Sequence, residues 1–465
     1  MNISLSLSHI FLFFATFCPI LLSSNIAKEY SYIFFLFQLI TITVINYRRK
    51  YLYFFLSPAN LLIYYVVTSF FVASLAFNNG IVFPDDYLIT FSNWKHFKIN
   101  LIYVLITTYS LFYVDYFVSF TYQKNFEINR WKINKGFQIK SLTISTLIFI
   151  IFFLTPLSVG AIGGSGDMSY VPKAVAALNI FYLLAINKIK YRFLIYLMII
   201  GFFASFSYSS KREAIFFVFP ILLIESIIFS KQIKLKELFS LLGISVVGIL
   251  LILAMSVMRG YGSSGPDDTV DIINLVPRII SYVGMNDFLK YFLLNIEVNY
   301  TFFHSFNAME YIMNDSGLVT YGSTIYKMFF VFFPRSLFSF IKPDSFIHLY
   351  TESYNPGLRL AGGSYPPNLY AEMFWNFHFS GFIILNLLFL AFSKIYALTI
   401  KHLISGQYFK YSFLLFIYLF LVTYFRGSGL DMFTVYVIFS IIFSSIIYLI
   451  AKLFSSKSNY ETLES

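Results

Sequence analysis

The feature that most constrains this chain is a succession of apolar stretches, each long enough or nearly long enough to cross a bilayer. They lie at 5–24, 31–47, 54–78, 99–121, 141–161, 173–188, 193–209, 212–230, 237–258, 380–400, 410–425 and 431–452. About 20 apolar residues of helix span the hydrocarbon core. Inside lipid every backbone polar group must be satisfied within the protein, so apolar runs of this length predict helices. The expected fold class is all-α, a polytopic integral membrane bundle of about twelve transmembrane helices. A composition of 58% hydrophobic and 12% charged residues agrees, because a soluble fold cannot hide that much apolar surface. The segment from His9 to Leu22 has no basic stretch before it and no small-residue cleavage site after it, so it reads as a retained first helix.

Charge gives the bundle a direction. Arg48-Arg49-Lys50, the stretch from Lys124 to Lys140, Lys188-Ile189-Lys190-Tyr191-Arg192, Lys231 with Lys234 and Lys236, and Lys394, Lys401 and Lys410 fall on alternate connections. The positive-inside rule puts those connections, and both termini, in the cytoplasm. The formal net charge of +11 is this pattern rather than a nucleic-acid footprint, and no nucleic-acid partner is expected. The single cysteine, Cys18, excludes an intrachain disulfide. The chain divides into an N-terminal membrane bundle (1–258), a large extracytoplasmic loop (259–379) and C-terminal transmembrane helices with a short tail (380–465). The loop is far longer than the roughly 12–15 residues beyond which loops are usually functional. It carries apolar runs at Phe288-Leu289-Lys290-Tyr291-Phe292-Leu293-Leu294 and Met328-Phe329-Phe330-Val331-Phe332-Phe333, expected to form helices at the outer interface.

With this sidedness, Arg212, Arg259, Arg278, Arg335, Arg359 and Arg426 lie outside the cytoplasm. Arginine beside an outer helix end runs against the charge bias and needs a compensating partner. Arg212, Arg259 and Arg426 sit there in Ser209-Ser210-Lys211-Arg212-Glu213, Met258-Arg259-Gly260-Tyr261-Gly262 and Phe425-Arg426-Gly427-Ser428-Gly429. The guanidinium fork matches phosphate, and the flanking glycines let backbone approach a ligand. The plainer alternative is snorkelling, or pairing with Glu213 or Asp431. A denser group follows: Phe333-Pro334-Arg335-Ser336-Leu337, Lys342-Pro343-Asp344, Gly362-Gly363-Ser364-Tyr365-Pro366-Pro367 and Glu372-Met373-Phe374-Trp375-Asn376-Phe377. Cations, carboxylates, amides and aromatics held by Gly and Pro turns are what a sugar phosphate requires, although a loop packed on the bundle gives the same composition.

At these residues the chain resembles the O-antigen polymerase (Wzy-type) family of bacterial surface-polysaccharide polymerases. The resemblance rests on Ser210-Lys211-Arg212-Glu213-Ala214-Ile215, on Phe333-Pro334-Arg335-Ser336-Leu337 with Lys342-Pro343, on Tyr370-Ala371-Glu372-Met373-Phe374-Trp375-Asn376-Phe377 leading to Gly381, and on Arg426-Gly427 between the last two helices. It covers the C-terminal half; the N-terminal part is similar only in hydropathy profile. Glu213 departs from the pattern, since members often carry a small residue there. The resemblance implies a glycosyltransferase C-like fold in the cytoplasmic (inner) membrane, facing outward. It also implies metal-independent joining of undecaprenyl-diphosphate-linked oligosaccharide repeat units, with membrane lipid and a chain-length regulator protein as further partners.

The residue chemistry is compatible with that reaction. A diphosphate leaving group is a weak base and calls for cationic donors more than for a general acid. Arg212, Arg335 and Arg426 are assigned that role, with Glu372 as base toward the attacking hydroxyl and Asp431 and His378 behind it. Glu372 reads equally well as a carboxylate favouring a helix N-terminus. Lys211, Arg259, Arg278, Lys342, Arg359, Tyr365 and Asp431 are candidates for substrate binding. His9, His96, His304, His348, His378 and His402 show no metal-ligand spacing, so neither a metal nor another cofactor is expected. Asp115 and Glu225 fall within predicted spans, where pairing at the interface is the simpler reading than a proton relay. The alternatives are a lipid-linked oligosaccharide flippase or other transporter, an O-antigen ligase of the same layout, and a multi-span acyltransferase.

Overall fold

The computed structural model describes residues 3–49, 51–123, 135–154, 170–206, 216–229, 272–330, 342–405, 407–427 and 429–454. Among these residues the chain is helical, with no strand. The first half contains α1 (Ile3–Leu21), α2 (Ser31–Arg48), α3 (Pro58–Asn78), α4 (Asp86–Asn93), α5 (Phe97–Gln123), α6 (Lys135–Leu154), α7 (Tyr170–Ile186), α8 (Arg192–Phe206) and α9 (Val218–Ile228). The second half contains α10 (Ile272–Val283), α11 (Phe288–Asn295), α12 (Val298–Asn314), α13 (Phe346–Tyr354), α14 (Leu369–Phe377), α15 (Gly381–Ile404), α16 (Phe413–Arg426) and α17 (Leu430–Phe454). Among the described residues, six apolar segments are long enough to cross a membrane: α2, α3, α5, α6, α14 with α15, and α17. Shorter apolar helices occur at α1, α7, α8, α9 and α16, and the expected span at 237–258 lies outside the described residues.

Burial follows composition. In α7 every residue from Tyr170 to Ala185 except Lys173 is buried, as expected of a helix apolar on all sides. Its small residues Ala174, Ala176, Ala177 and Ala185 allow neighbours to approach closely, and α6, α8, α9, α16 and α17 pack around it. α16 is likewise buried from Leu414 to Phe425. On the other flank α1, α2 and α3 pack in sequence, while α5 joins α1 to α15.

The region expected as an outer loop contributes to the same core. Phe302, Phe303, Phe306 and Met309 of α12 are buried in one continuous apolar cluster with Phe70 and Phe77 of α3. Asn299, His304, Asn307 and Glu310 are buried beside them, so α12 is enclosed all round despite its polar content. Phe288–Asn295 forms the expected helix, and Lys327–Phe330 forms a 3-10 turn.

Candidate functional site: buried carboxylates at the α16–α17 turn

The site begins with a turn that only glycine permits. Gly427 caps α16 with φ +116°, and its N–H donates to the Tyr424 carbonyl at 3.0 Å. A Cβ there would sit 2.2 Å from the Pro367 carbonyl oxygen. The backbone that this glycine admits is therefore the protein's own Pro366-Pro367 segment, where the sequence pointed to a ligand. Gly429 follows with φ +81°, and α17 starts at Leu430.

Facing that start is the first turn of α14. Asn368 caps α14 by accepting from the N–H groups of Tyr370 and Ala371 at 3.1 and 3.3 Å, and its own N–H donates to Ser305 Oγ at 3.0 Å. This fixes Glu372, 3% exposed, so that its Oε1 accepts from the Leu430 N–H at 3.4 Å. Glu372 thus serves the N-terminus of α17 as well as its own helix. Asp431, 6% exposed, lies one residue further along α17 and acts electrostatically on Glu372. Two carboxylates are brought together at one buried junction.

A lysine compensates. Lys327 Nζ lies 2.8 Å from Asp431 Oδ2. Thr320 and Thr324 each donate to Asn376 Oδ1 at 2.9 Å, and the Thr320 N–H donates to the Trp375 carbonyl at 3.2 Å. These bonds tie the short segment before Lys327 to α14. His348 on α13 is half-buried near Arg359, Lys327, Asp344 and Asp431; burial and the two cations hold its imidazole below its ordinary range. The buried Tyr424 hydroxyl adjoins Glu372.

Arg426 is engaged differently from expectation. Its Nε and Nη2 donate to Glu297 Oε2 and Oε1 at 2.6 and 2.8 Å, a bidentate pair, whereas Asp431 goes to Lys327. Glu297 precedes α12 with φ +60°, a left-handed conformation uncommon for a residue with a Cβ. Beyond it, Tyr365 stacks on His304 with centroids 4.2 Å apart, and its N–H donates to Thr351 Oγ1 at 2.8 Å.

The structure thus brings Glu372 and Asp431 together, with Arg426 at the adjoining turn and Arg359 within electrostatic reach of His348. Lys342 is buried just before α13. Arg278 is on α10, whose Tyr282 anchors a small cluster with Phe288 and Phe292 apart from the main core. Lys211, Arg212, Arg259 and Arg335 lie outside the described residues. Glu297, Lys327, His348 and Tyr424 escaped the sequence reading. Glu297, Lys327 and His348 stand in largely aromatic or apolar runs with no motif around them, and Tyr424 lies just before the Phe425-Arg426-Gly427 stretch without being distinguished by it. Away from the site, Glu225 accepts a bidentate pair from Arg192 at 2.7 and 3.0 Å, and Asp115 accepts from Ser393 Oγ at 2.8 Å. Both acids of the predicted spans are paired.

Family models, curated proteins and solved structures were compared with the chain, and none matches.

Proposed function

We propose that the chain is a polymerase that joins undecaprenyl-diphosphate-linked oligosaccharide repeat units at the outer face of the cytoplasmic membrane. The observation that carries this reading is the buried Glu372–Asp431 pair with Lys327, gathered at a helix turn that the alternation of basic connections assigns to the outside. A carboxylate such as Glu372 accepts the proton of the attacking sugar hydroxyl. The new bond joins that oxygen to the anomeric carbon of the donor chain, and the bond from that carbon to the lipid diphosphate breaks. Cationic side chains gather the negative charge of the departing diphosphate; Arg212 and Arg335 are assigned this role from the sequence, and Arg426 beside the turn would join them by exchanging its pairing with Glu297 for the diphosphate. The resemblance to O-antigen polymerases supplies the substrate class.

The test is deletion of the gene, followed by gel analysis of the surface polysaccharide and complementation. The expected pattern is a core bearing one repeat unit, with long chains restored by the wild-type chain and by Lys132→Ala. Glu372→Gln and Arg426→Ala are expected to leave the single-repeat band. Complete loss of the glycan in the deletion strain would indicate a flippase or a ligase instead, and an unchanged ladder would end the proposal.

A further inference from the structure

A second site lies at the far end of α12. A cavity of about 680 Å³ opens between the end of α4, the residues that follow it, and the end of α12. That volume falls within the range of small-molecule pockets, about 300–1,000 Å³. Its floor is built from groups already satisfied by the protein. Glu310 accepts from the N–H groups of Lys95 and His96 at 2.7 and 3.0 Å and from Asn100 Nδ2 at 3.3 Å, while Trp94 Nε1 donates to Asn307 Oδ1 at 3.2 Å.

The rim is different. The Asn93 and Asn314 carboxamides are exposed and, like the Tyr311 hydroxyl, make no hydrogen bond among the described residues. Each amide offers two donors and an acceptor, and the phenol one of each, beside the half-buried ring of Tyr311. Formal charge argues against an anion, because Glu310 and Asp315 outnumber Lys95 in the lining. Amides, hydroxyls and the Trp94 and Tyr311 rings around a nearly neutral cavity fit an uncharged polyhydroxylated ligand.

The position in the fold gives such a ligand a role. Tyr300, His304, Asn307 and Tyr311 recur on one face of α12, from the Glu297–Arg426 pair at one end to the cavity at the other. At about 1.5 Å per residue, Glu297 and Glu310 are about 20 Å apart along the helix. We infer that this cavity binds an uncharged stretch of glycan remote from the reacting carboxylates, holding the chain while its end is extended. The role in extension rests on the polymerase reading; the binding does not.

The experiment titrates the full chain in lipid nanodiscs with neutral oligosaccharides released by mild acid from the surface glycan of the cells that express it. Saturable binding is expected. Asn314→Trp and Ser353→Trp, exposed positions whose enlargement fills the cavity, are expected to weaken it at least fivefold, whereas Lys188→Ala leaves it unchanged. Absence of saturable binding, or a loss smaller than fivefold in both filling variants, would overturn the inference. An unchanged ladder after gene deletion, with binding intact and lost in the filling variants, removes the polymerase reading and leaves the cavity. A single-repeat ladder without oligosaccharide binding does the reverse.

Discussion

His304 shows how one buried side chain ties the fold to pH. Its ring is enclosed on α12, with Nε2 at 2.9 Å from the Tyr87 hydroxyl and Nδ1 at 2.8 Å from that of Tyr350. Burial favours the neutral ring and pulls its pKa well below the ordinary value. The unfolded chain therefore binds more protons than the native one between that lowered value and about 6.5, so stability rises with pH across the window. The contribution is complete above about pH 6.5 and is lost as pH falls, by about 1.4 kcal/mol per pH unit. His348 adds to the same trend from a half-buried position. Between pH 7.5 and 5 in detergent, the wild type is expected to lose more thermal stability than His304→Gln. An unaltered slope in that variant would remove His304 as its source. At the same scale the sequence singled out Glu372, Asp431 and Arg426 as candidates but not their partners. Pairing is a property of the folded surface, and Asp431, the sequence neighbour of Arg426, is taken by Lys327 instead.

Elements fail where the backbone leaves no room. Gly427 combines a φ open to glycine with a carbonyl oxygen 2.2 Å from where a Cβ would lie, whereas Gly80, at φ +70°, has nothing within 4 Å. The two positions separate conformational strain from collision. Gly80→Ala is expected to cost about 1 kcal/mol through the left-handed backbone alone. Gly427→Ala adds the displacement of Pro366-Pro367 and is expected to cost about 2–4 kcal/mol and to loosen Glu372 from Leu430. Equal unfolding midpoints for the two variants would contradict the close approach. The helices themselves were legible where length and apolarity coincide, as in α2, α5 and α17. α12 was not, because Asn299, His304, Asn307 and Glu310 dilute its apolar pattern while distant residues bond to them: Ile81 to Asn299, Tyr87 and Tyr350 to His304, Trp94 and Tyr350 to Asn307, and Lys95 and His96 to Glu310. A helix whose polar groups are paired by distant residues looks like an exposed loop until those residues are in place.

At the scale of the molecule, the cavity lining and the charge pattern both bear on which surfaces share a side of the membrane. The first is geometric: Asn93 and Asp315 line one cavity, so they face the same compartment whatever its identity. The second is electrostatic: the positive-inside rule leads to the expectation that the basic connections, including Lys188, face the cytoplasm and that the connection carrying Asn93 faces the other side. Single cysteines at Asn93, Asp315 and Lys188, all exposed positions, in a Cys18→Ser background distinguish them. With an impermeant maleimide on cells whose outer barrier is permeabilised, labelling is expected at 93 and 315 and protection at 188. Labelling at only one of 93 and 315 would contradict the packing of α4 against the end of α12. Labelling at 188 with protection of both others would leave the packing intact and invert the bundle, moving the Glu372–Asp431 junction to the cytoplasm. A lipid-linked saccharide presented on the outer leaflet could not reach a junction so placed, so this single readout also decides whether the polymerase mechanism has access to its substrate.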